Sequence, residues 1–234
     1  GIKGVFSFLT VLPLRNSSIA SAARWMWLFP VVGIFIGWIA GMFGQAASLF
    51  FPVNVSSALA LFVLLFLTGF HHLDGLLDFG DAAMLRGSRK KRLEIMHRKG
   101  NGTGAFALGF FVLLITYAAL QSQDMVKALI VAEVSAKTSM VIGAYISEPA
   151  NAGMGSEFVR AMKGKHYLFL LSFLIYLTVI YLLAPQRGVW LIISLYLSSV
   201  FMVWLSGRLI GGTSGDVFGA MNEVTRMITL LVLL

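Results

Sequence analysis

The feature that most constrains this chain is a pair of long apolar segments in its N-terminal third. Neither Trp25–Phe50 nor Val53–Phe70 contains a charged residue. About 20 apolar residues suffice for a helix to cross the hydrocarbon core of a bilayer. The rest of the sequence has the same character, because 58% of the 234 residues are hydrophobic and only 12% are charged, against about a quarter charged in soluble proteins. The sequence therefore predicts an integral membrane protein.

Further apolar segments continue to the end of the chain and bring the predicted number of spans to seven. The additional segments are Ala105–Leu120, Met125–Ser147, His166–Ala184, Val189–Ser206 and Val217–Leu234. The expected fold is an all-α polytopic membrane protein, with about seven transmembrane helices in one bundle and helix or loop elements on the cytoplasmic side. Residues 1–234 then form a single integral membrane domain, because no room is left for a separate soluble one.

The basic residues predict the orientation of the bundle. The N-terminal segment and the long connections carry fourteen Lys and Arg residues, whereas the short connections carry only Lys127 and Arg187. By the positive-inside rule the long connections face the cytoplasm and the C-terminus lies outside the cell membrane. Anionic lipid head groups or a phosphorylated substrate can account for the net charge of +8, so nucleic acid is not an expected partner.

Two features within the predicted spans suggest helix packing. Gly33, Gly37 and Gly41 recur every four residues, which favours close approach of another helix. Lys137 lies four residues after Glu133, so the two can pair on one helix face, as can residues near Glu223 and Arg226. For Lys137 the sequence leaves two interpretations open, a buried ion pair or a contact with substrate.

The stretch FHHLDGLLDFGDAAM, from Phe70 to Met84, carries three aspartates directly after an apolar segment. On a helix, Asp74, Asp78 and Asp81 fall within about 60° of one another, with His71 on the flank of the same arc. Three neighbouring carboxylates repel, and all-oxygen ligands suit Mg²⁺, with Mn²⁺ as an option. The sequence predicts a metal site here. The alternative is a solvated helix face that pairs with nearby Arg and Lys residues.

Three glycine-bearing stretches are predicted to lie on the same face as the aspartates. They are RKGNGTGA (98–105, with Lys99, Asn101, Gly102 and Gly104), EPANAGMGSEF (148–158, with Asn151) and GGTSGDVFGAMNE (211–223, with Gly211, Gly212 and Asp216). Glycine lets backbone N–H groups approach an anion, and a following helix N-terminus favours phosphate. A plain flexible loop is the alternative for the first stretch. Carboxylates ringed by such loops are typical of phosphoryl transfer.

These motifs, together with FSFLTVLPL near the N-terminus, RWMWLFPVVGIFIG and RLEIMHRKGNGTGA, resemble the cobalamin-5′-phosphate synthase family almost from end to end. The resemblance implies a Mg²⁺-dependent membrane transferase. Its substrates would be adenosylcobinamide-GDP and α-ribazole or α-ribazole 5′-phosphate, with GMP released. The implied partners are these substrates and the lipid bilayer, and a homo-oligomer is compatible with the sequence.

The resemblance also assigns roles to residues. It implies that His72, Asp74, Asp78 and Asp81 form the metal and catalytic group, that Gly102 lies near substrate, and that Asp216 is a further acidic member. It selects His72, whereas the helical arc favours His71.

One position departs from the family pattern, which usually has an acidic residue where this chain has Arg98. Either this reversed charge impairs activity or Arg98 holds the substrate pyrophosphate. The alternative functions are a CDP-alcohol-type phosphotransferase, whose usual spacing of aspartates differs, and a transporter that uses intramembrane charge, for which internal repeats are expected.

Overall fold

A computed structural model describes residues 1–12, 18–98 and 100–234 of the chain. The α-helices are α1 (Ile2–Leu9), α2 (Ile19–Arg24), α3 (Phe29–Ala47), α4 (Val53–Leu67), α5 (His71–Met84), α6 (Arg89–Met96), α7 (Thr103–Leu120), α8 (Met125–Ile146), α9 (Met154–Met162), α10 (His166–Leu183), α11 (Gly188–Ile210) and α12 (Gly215–Leu233). Short 3-10 turns at Met26–Leu28 and Pro185–Arg187 precede α3 and α11. The expected all-α class is confirmed.

The number of spans differs in detail from the seven that were predicted. Five helices are long and apolar enough to cross a membrane in the described residues, and a bent pair, α4 with α5, raises the number to six. The predicted final span corresponds to α12, which carries Asp216, Glu223 and Arg226 in 19 residues. A polytopic membrane protein is therefore confirmed, while the number seven stays a prediction.

The largest departure from the predicted layout is a sharp break before the acidic segment. The predicted span Val53–Phe70 ends as a helix at Leu67, and the chain then bends by 91° into α5. Gly69 and Phe70 both adopt a positive φ at this break, 60° and 58°, which terminates a right-handed helix. The acidic residues therefore lie on a separate helix that runs across the end of α4.

Helix α3 packs against the backbone of α8 through its glycine stripe. A Cβ atom added to Gly33 would lie 2.7 Å from the carbonyl oxygen of Glu133, and one added to Gly41 would lie 2.5 Å from Cα of Val126. Contacts this close leave no room for a side chain, so the stripe brings the two helices together. The packing role predicted for these glycines is confirmed.

A fully buried cluster of charges joins α8 to α12. The Lys137 ammonium donates to Glu133 Oε2 at 2.9 Å and to Asn222 Oδ1 at 2.7 Å. The Arg226 guanidinium donates to Glu133 Oε1 at 2.5 Å and also to Glu223. All four charged side chains are at most 1% exposed. The charges of the two cations and the two carboxylates cancel, which lowers the free-energy cost of burying the cluster.

The acidic helix α5 is held between α12 and α7 by close backbone contacts. A Cβ atom on Gly219 of α12 would lie 2.9 Å from the carbonyl oxygen of His72. On the other side of α5, a Cβ atom on Gly80 would lie 2.9 Å from the carbonyl oxygen of Gly104 at the start of α7. Glycine at these positions permits the approach. The position of α5 therefore depends on that of α12.

Replacing Arg226 tests how much the buried charge cluster contributes to the free energy of unfolding. We expect Arg226→Met to leave Glu133 and Glu223 short of a cation and to lower the free energy of unfolding by about 3–5 kcal/mol. Thermal unfolding of the purified protein in detergent measures this. The matched control is Lys127→Met, which breaks an ion pair to Asp124 between side chains that are more than half and about half exposed and should change little. Equal shifts in melting temperature for the two variants would contradict the assigned role.

Candidate active site

The three aspartates of α5 lie on one face of the helix, as the spacing predicts. Helix α5 is not among the five apolar helices that can span a membrane alone, and Asp74 is exposed while Asp78 and Asp81 are half-buried. The pKa of Asp78 is raised to about 7, first by burial and then by the negative charges of Asp74, Asp216 and Asp81. This mutual repulsion shows that the carboxylates share one electrostatic environment.

Asp216 joins this group from the first turn of α12. A Cβ atom on Gly75 of α5 would lie 2.7 Å from the carbonyl oxygen of Asp216, so the two helices touch at the acidic site itself. Burial raises the pKa of Asp216, and the nearby His97 opposes that rise. Ser214 contacts Asp216 through its hydroxyl at 3.5 Å. The structure therefore brings together acidic residues that are more than 130 positions apart in the sequence.

Asp81 has a structural function that the sequence did not reveal. Its Oδ2 atom accepts a hydrogen bond from the backbone N–H of Gly102 at 2.5 Å, and its Oδ1 atom accepts one from Ala105 at 2.8 Å. These N–H groups belong to the start of α7, where a helix leaves its first donors without partners. Asp81 thus caps α7 from a different helix and fixes α5 to it.

The larger cavity lies where α5, α9, α12 and the N-terminal helices meet, and its volume is about 640 Å³. Four of the predicted site residues line it: His72, Asp74, Asn151 and Asp216. His71 lines it as well, because α5 begins at His71 and both histidines lie in its first turn. The helical arc and the family resemblance selected different histidines, and both reach the same cavity.

His72 and His71 nevertheless differ in environment. His72 is only 7% exposed, and its Nδ1 atom has no hydrogen-bond partner among the described residues. Burial lowers the pKa of His72 well below its usual value, and the charges of Lys137 and Arg226 lower it further. The ring is therefore neutral near pH 7, while the His71 side chain is exposed at the cavity.

His97 is a lining residue that the sequence analysis did not select. It ends α6, and its Nε2 atom lies 3.4 Å from the amide nitrogen of Asn151. Helix α6 is anchored by Arg92, which donates to the carbonyl oxygens of Ala82 and Ala83 at the end of α5. A signal was present in the sequence, because a histidine directly precedes the predicted phosphate-binding loop at 98–105.

A second, smaller cavity of about 400 Å³ contains the other group of predicted residues. Asp81, Arg98, Asn101 and Gly102 line it, together with apolar residues of α5 and α6. Arg98 is exposed there, and the two interpretations of this departure from the family pattern stay predictions. Lys99 lies outside the described residues.

The remaining predicted substrate contacts occupy packed positions in the structure. Gly104 packs on Gly80, and Lys137 is fully buried in the charge cluster, which favours the ion-pair interpretation of that lysine. Gly211 ends α11 with a φ of 89°. A Cβ atom on Gly212 would lie 2.5 Å from the carbonyl oxygen of Glu148. These four residues line neither of the two cavities, and their packing is sufficient to explain their identity.

Gly212 allows two of the predicted loops to pair with each other. The Thr213 N–H donates to the carbonyl oxygen of Glu148 at 2.8 Å, and the Ala150 N–H donates to the carbonyl oxygen of Thr213 at 3.1 Å. The glycine loops therefore form a joined rim that places Asn151 and Asp216 at the larger cavity.

The predicted metal ligands are Asp74, Asp78, Asp81 and Asp216. Throughout the described ranges, no three His, Asp or Glu side chains are arranged closely enough to hold a metal ion. The chemistry of the donor set still fits a hard divalent cation, because all four are carboxylates, and burial followed by the charges of the other three raises the pKa of Asp78. In the part of the chain that the structure describes, none of the four forms an ion pair.

Fold and site together define a helical membrane protein with a carboxylate- and histidine-lined cavity at one end of its bundle. The chain belongs to the cobalamin-5-phosphate synthase family, whose model matches residues 1–234. It is 31% identical to the adenosylcobinamide-GDP ribazoletransferase of Pyrococcus abyssi, over 99% of this chain and 97% of that protein. It is 30% identical to the enzyme of the same name from Methanosarcina mazei, over 99% of this chain and 90% of that protein. No solved structure matches this chain. The family resemblance read from the motifs is confirmed.

Replacing Asp81 separates its structural role from that of its neighbour. We expect Asp81→Ala to lower the free energy of unfolding by about 1 kcal/mol or more, because the first turn of α7 loses its cap. The control is Asp78→Ala, which removes a repelled carboxylate and should not destabilise the fold. Melting temperatures in detergent provide the comparison. If both variants have the same melting temperature as the parent protein, Asp81 does not act as a cap.

Proposed function

We propose that this protein is an adenosylcobinamide-GDP ribazoletransferase. It joins α-ribazole, or its 5′-phosphate, to the cobinamide phosphate of adenosylcobinamide-GDP and releases GMP, which is the step that assembles the nucleotide loop of cobalamin. The observation that carries the proposal is the cavity where α5 and α12 bring His72, Asp74 and Asp216 together, in a chain that matches the family over its whole length.

The proposed reaction is a direct in-line displacement at phosphorus. A ribose hydroxyl oxygen of ribazole attacks the cobinamide-side phosphorus of the pyrophosphate, and a new P–O bond forms. The bond from that phosphorus to the bridging oxygen breaks, and the bridging oxygen departs with GMP. One of the cavity carboxylates or the His72 ring takes the hydroxyl proton. The side chains around the cavity orient the hydroxyl and exclude competing water.

We propose Mg²⁺ as the cofactor, with Mn²⁺ as a substitute, held by Asp74, Asp78 and Asp216. When bound, this cation would neutralise charge on the pyrophosphate oxygens. Asp81 belongs to the ligand set predicted from sequence, but each of its oxygens already accepts a backbone N–H at the start of α7. We therefore assign it the task of holding α5 in place beside the cation.

The chain's charge supports a location in the cell membrane with the active face in the cytoplasm. The long connections and the N-terminal segment carry fourteen Lys and Arg residues against two on the other side, and cytoplasmic loops are the basic ones. Both cavities are lined by residues of that basic side. The C-terminus then lies outside the cell.

The alternatives raised by the sequence receive less support. A transporter was considered because of the intramembrane charges of Glu133, Lys137, Glu223 and Arg226. These charges neutralise one another within one buried cluster that joins α8 to α12. Their pairing has a structural role and requires no transported substrate. A CDP-alcohol phosphotransferase is disfavoured by the match of the whole chain to a different family.

Release of GMP tests the proposed function. The purified protein, given adenosylcobinamide-GDP, α-ribazole and Mg²⁺, should release GMP and form the corrinoid phosphodiester. Asp74→Asn should reduce turnover at least ~100-fold, because lost electrostatic stabilisation of phosphoryl transfer has effects of this size. Glu94→Gln is the control, since Glu94 is an exposed carboxylate that lines neither cavity.

The same assay tests the need for a divalent cation separately from the transferase activity. A chelator should abolish GMP release and added Mg²⁺ should restore it. Undiminished release in the chelator would refute the cation but leave the transferase intact. Absence of GMP under all conditions would refute the transferase itself.

Single-cysteine labelling tests the orientation, and the chain is suited to it because it contains no cysteine. Ser88 is exposed just before α6, and Ser122 is exposed between α7 and α8 at the opposite end of the bundle. We expect a membrane-impermeant maleimide to label Ser122→Cys in intact cells and to label Ser88→Cys only after permeabilisation. The reverse pattern would place the active face outside.

A further inference from the structure

The larger cavity has two accessible walls of different chemistry. The polar wall consists of His71, Asp74, His97, Asn151 and Asp216. The apolar wall consists of the side chains of Phe8, Ile19 and Met154 from the N-terminal helices and the start of α9, and the N-terminal region also contributes Ser7 and Ser18 to the lining. Ile19 and Met154 are exposed and Phe8 is half-buried, so apolar side chains are presented to whatever occupies the cavity. Such a cavity suits a ligand that has an apolar end and a polar end.

Beneath the apolar wall lies a packed group of aromatic rings. The ring of Phe158 lies 4.9 Å from that of Phe8, 5.7 Å from that of Phe29 and 6.3 Å from that of Phe218, centroid to centroid. Phe29, Phe158 and Phe218 are almost fully buried, so they form a rigid base and only Phe8 is partly accessible. Aromatic contacts of this kind favour a flat, aromatic ligand beside them.

Size decides which of the two proposed substrates can enter. The volume of about 640 Å³ lies within the range of about 300–1,000 Å³ that is typical of small-molecule sites. A nucleoside or nucleotide fits such a space. A corrin ring with its amide side chains and an attached guanosine diphosphate is several times larger than a nucleoside, so most of it must remain outside.

We infer that the larger cavity is the subsite for the attacking nucleoside, which rests on the proposed function. The aromatic base of ribazole lies against Phe8, Ile19 and Met154, and its ribose points to Asp74 and Asp216. The corrinoid nucleotide presents only its pyrophosphate at the rim of this cavity. The two substrates therefore bind to separate surfaces, and the N-terminal helices determine recognition of the base.

Cavity-filling variants test this subsite from two sides. Ala152→Trp adds bulk from the exposed loop before α9, and Ile19→Trp adds it from α2; both positions line the cavity and are exposed. The control is Ala20→Trp, because Ala20 is the next residue of α2, is exposed and does not line the cavity. Size-exclusion profiles and circular dichroism identify folded variants, and either filling variant alone suffices.

Titration calorimetry of purified protein then measures binding of α-ribazole alone and of adenosylcobinamide-GDP alone. Overfilling the site should weaken α-ribazole binding at least ~10-fold, with adenosylcobinamide-GDP binding changed less than ~2-fold and Ala20→Trp like the parent protein. If the filling variants weaken binding of adenosylcobinamide-GDP and leave α-ribazole binding unchanged, the inference is overturned. Release of GMP by the parent protein would still support the proposed function in that case. Absence of both binding and GMP release would overturn the two together.

Discussion

The buried ion pair between Glu133 and Arg226 is the interaction on which the rest of the structure depends. It joins α8, the most deeply buried of the helices that can span a membrane, to α12, which is too polar to face lipid along its whole length. Because unpaired charges inside a membrane are costly, the pairing of Arg226 with Glu133 favours one position of α12 beside α8. That position places the start of α12, and with it Asp216, against Gly75 of α5.

The candidate site follows from this arrangement. Helix α5 turns across the end of α4 and is clamped between α12 and α7, with Asp81 capping α7. The clamp brings Asp74 and Asp216 to the larger cavity, and Asp78 lies near enough for their charges to raise its pKa, after the effect of burial. Repelling carboxylates destabilise a fold unless other contacts hold them together. Here the glycine contacts and the cap provide the restraint, and a cation or substrate can use the remaining negative charge.

The sequence predicted those features that depend on local spacing. The apolar segments predicted the membrane class, the aspartate spacing predicted a shared helix face, and the separation of Glu133 and Lys137 offered an ion pair as one of two interpretations. The features that the sequence did not predict depend on contacts between segments that are distant in the chain. The Glu133 and Arg226 pair spans 93 positions, and the cap from Asp81 to α7 is invisible without the fold. The break after Leu67 was also missed, because a positive φ at Phe70 is unusual for an aromatic residue.

The central claim is that Asp74 and Asp216, brought together by the packing of α5 on α12, act as one unit in the reaction. The most direct test is a double-mutant cycle on kcat/KM with Asp74→Asn, Asp216→Asn and the double variant. Residues that act as a unit are strongly non-additive, so the double variant should be about as impaired as the worse single variant. If the two losses in kcat/KM simply multiply, the aspartates act independently and the account of a shared site is contradicted.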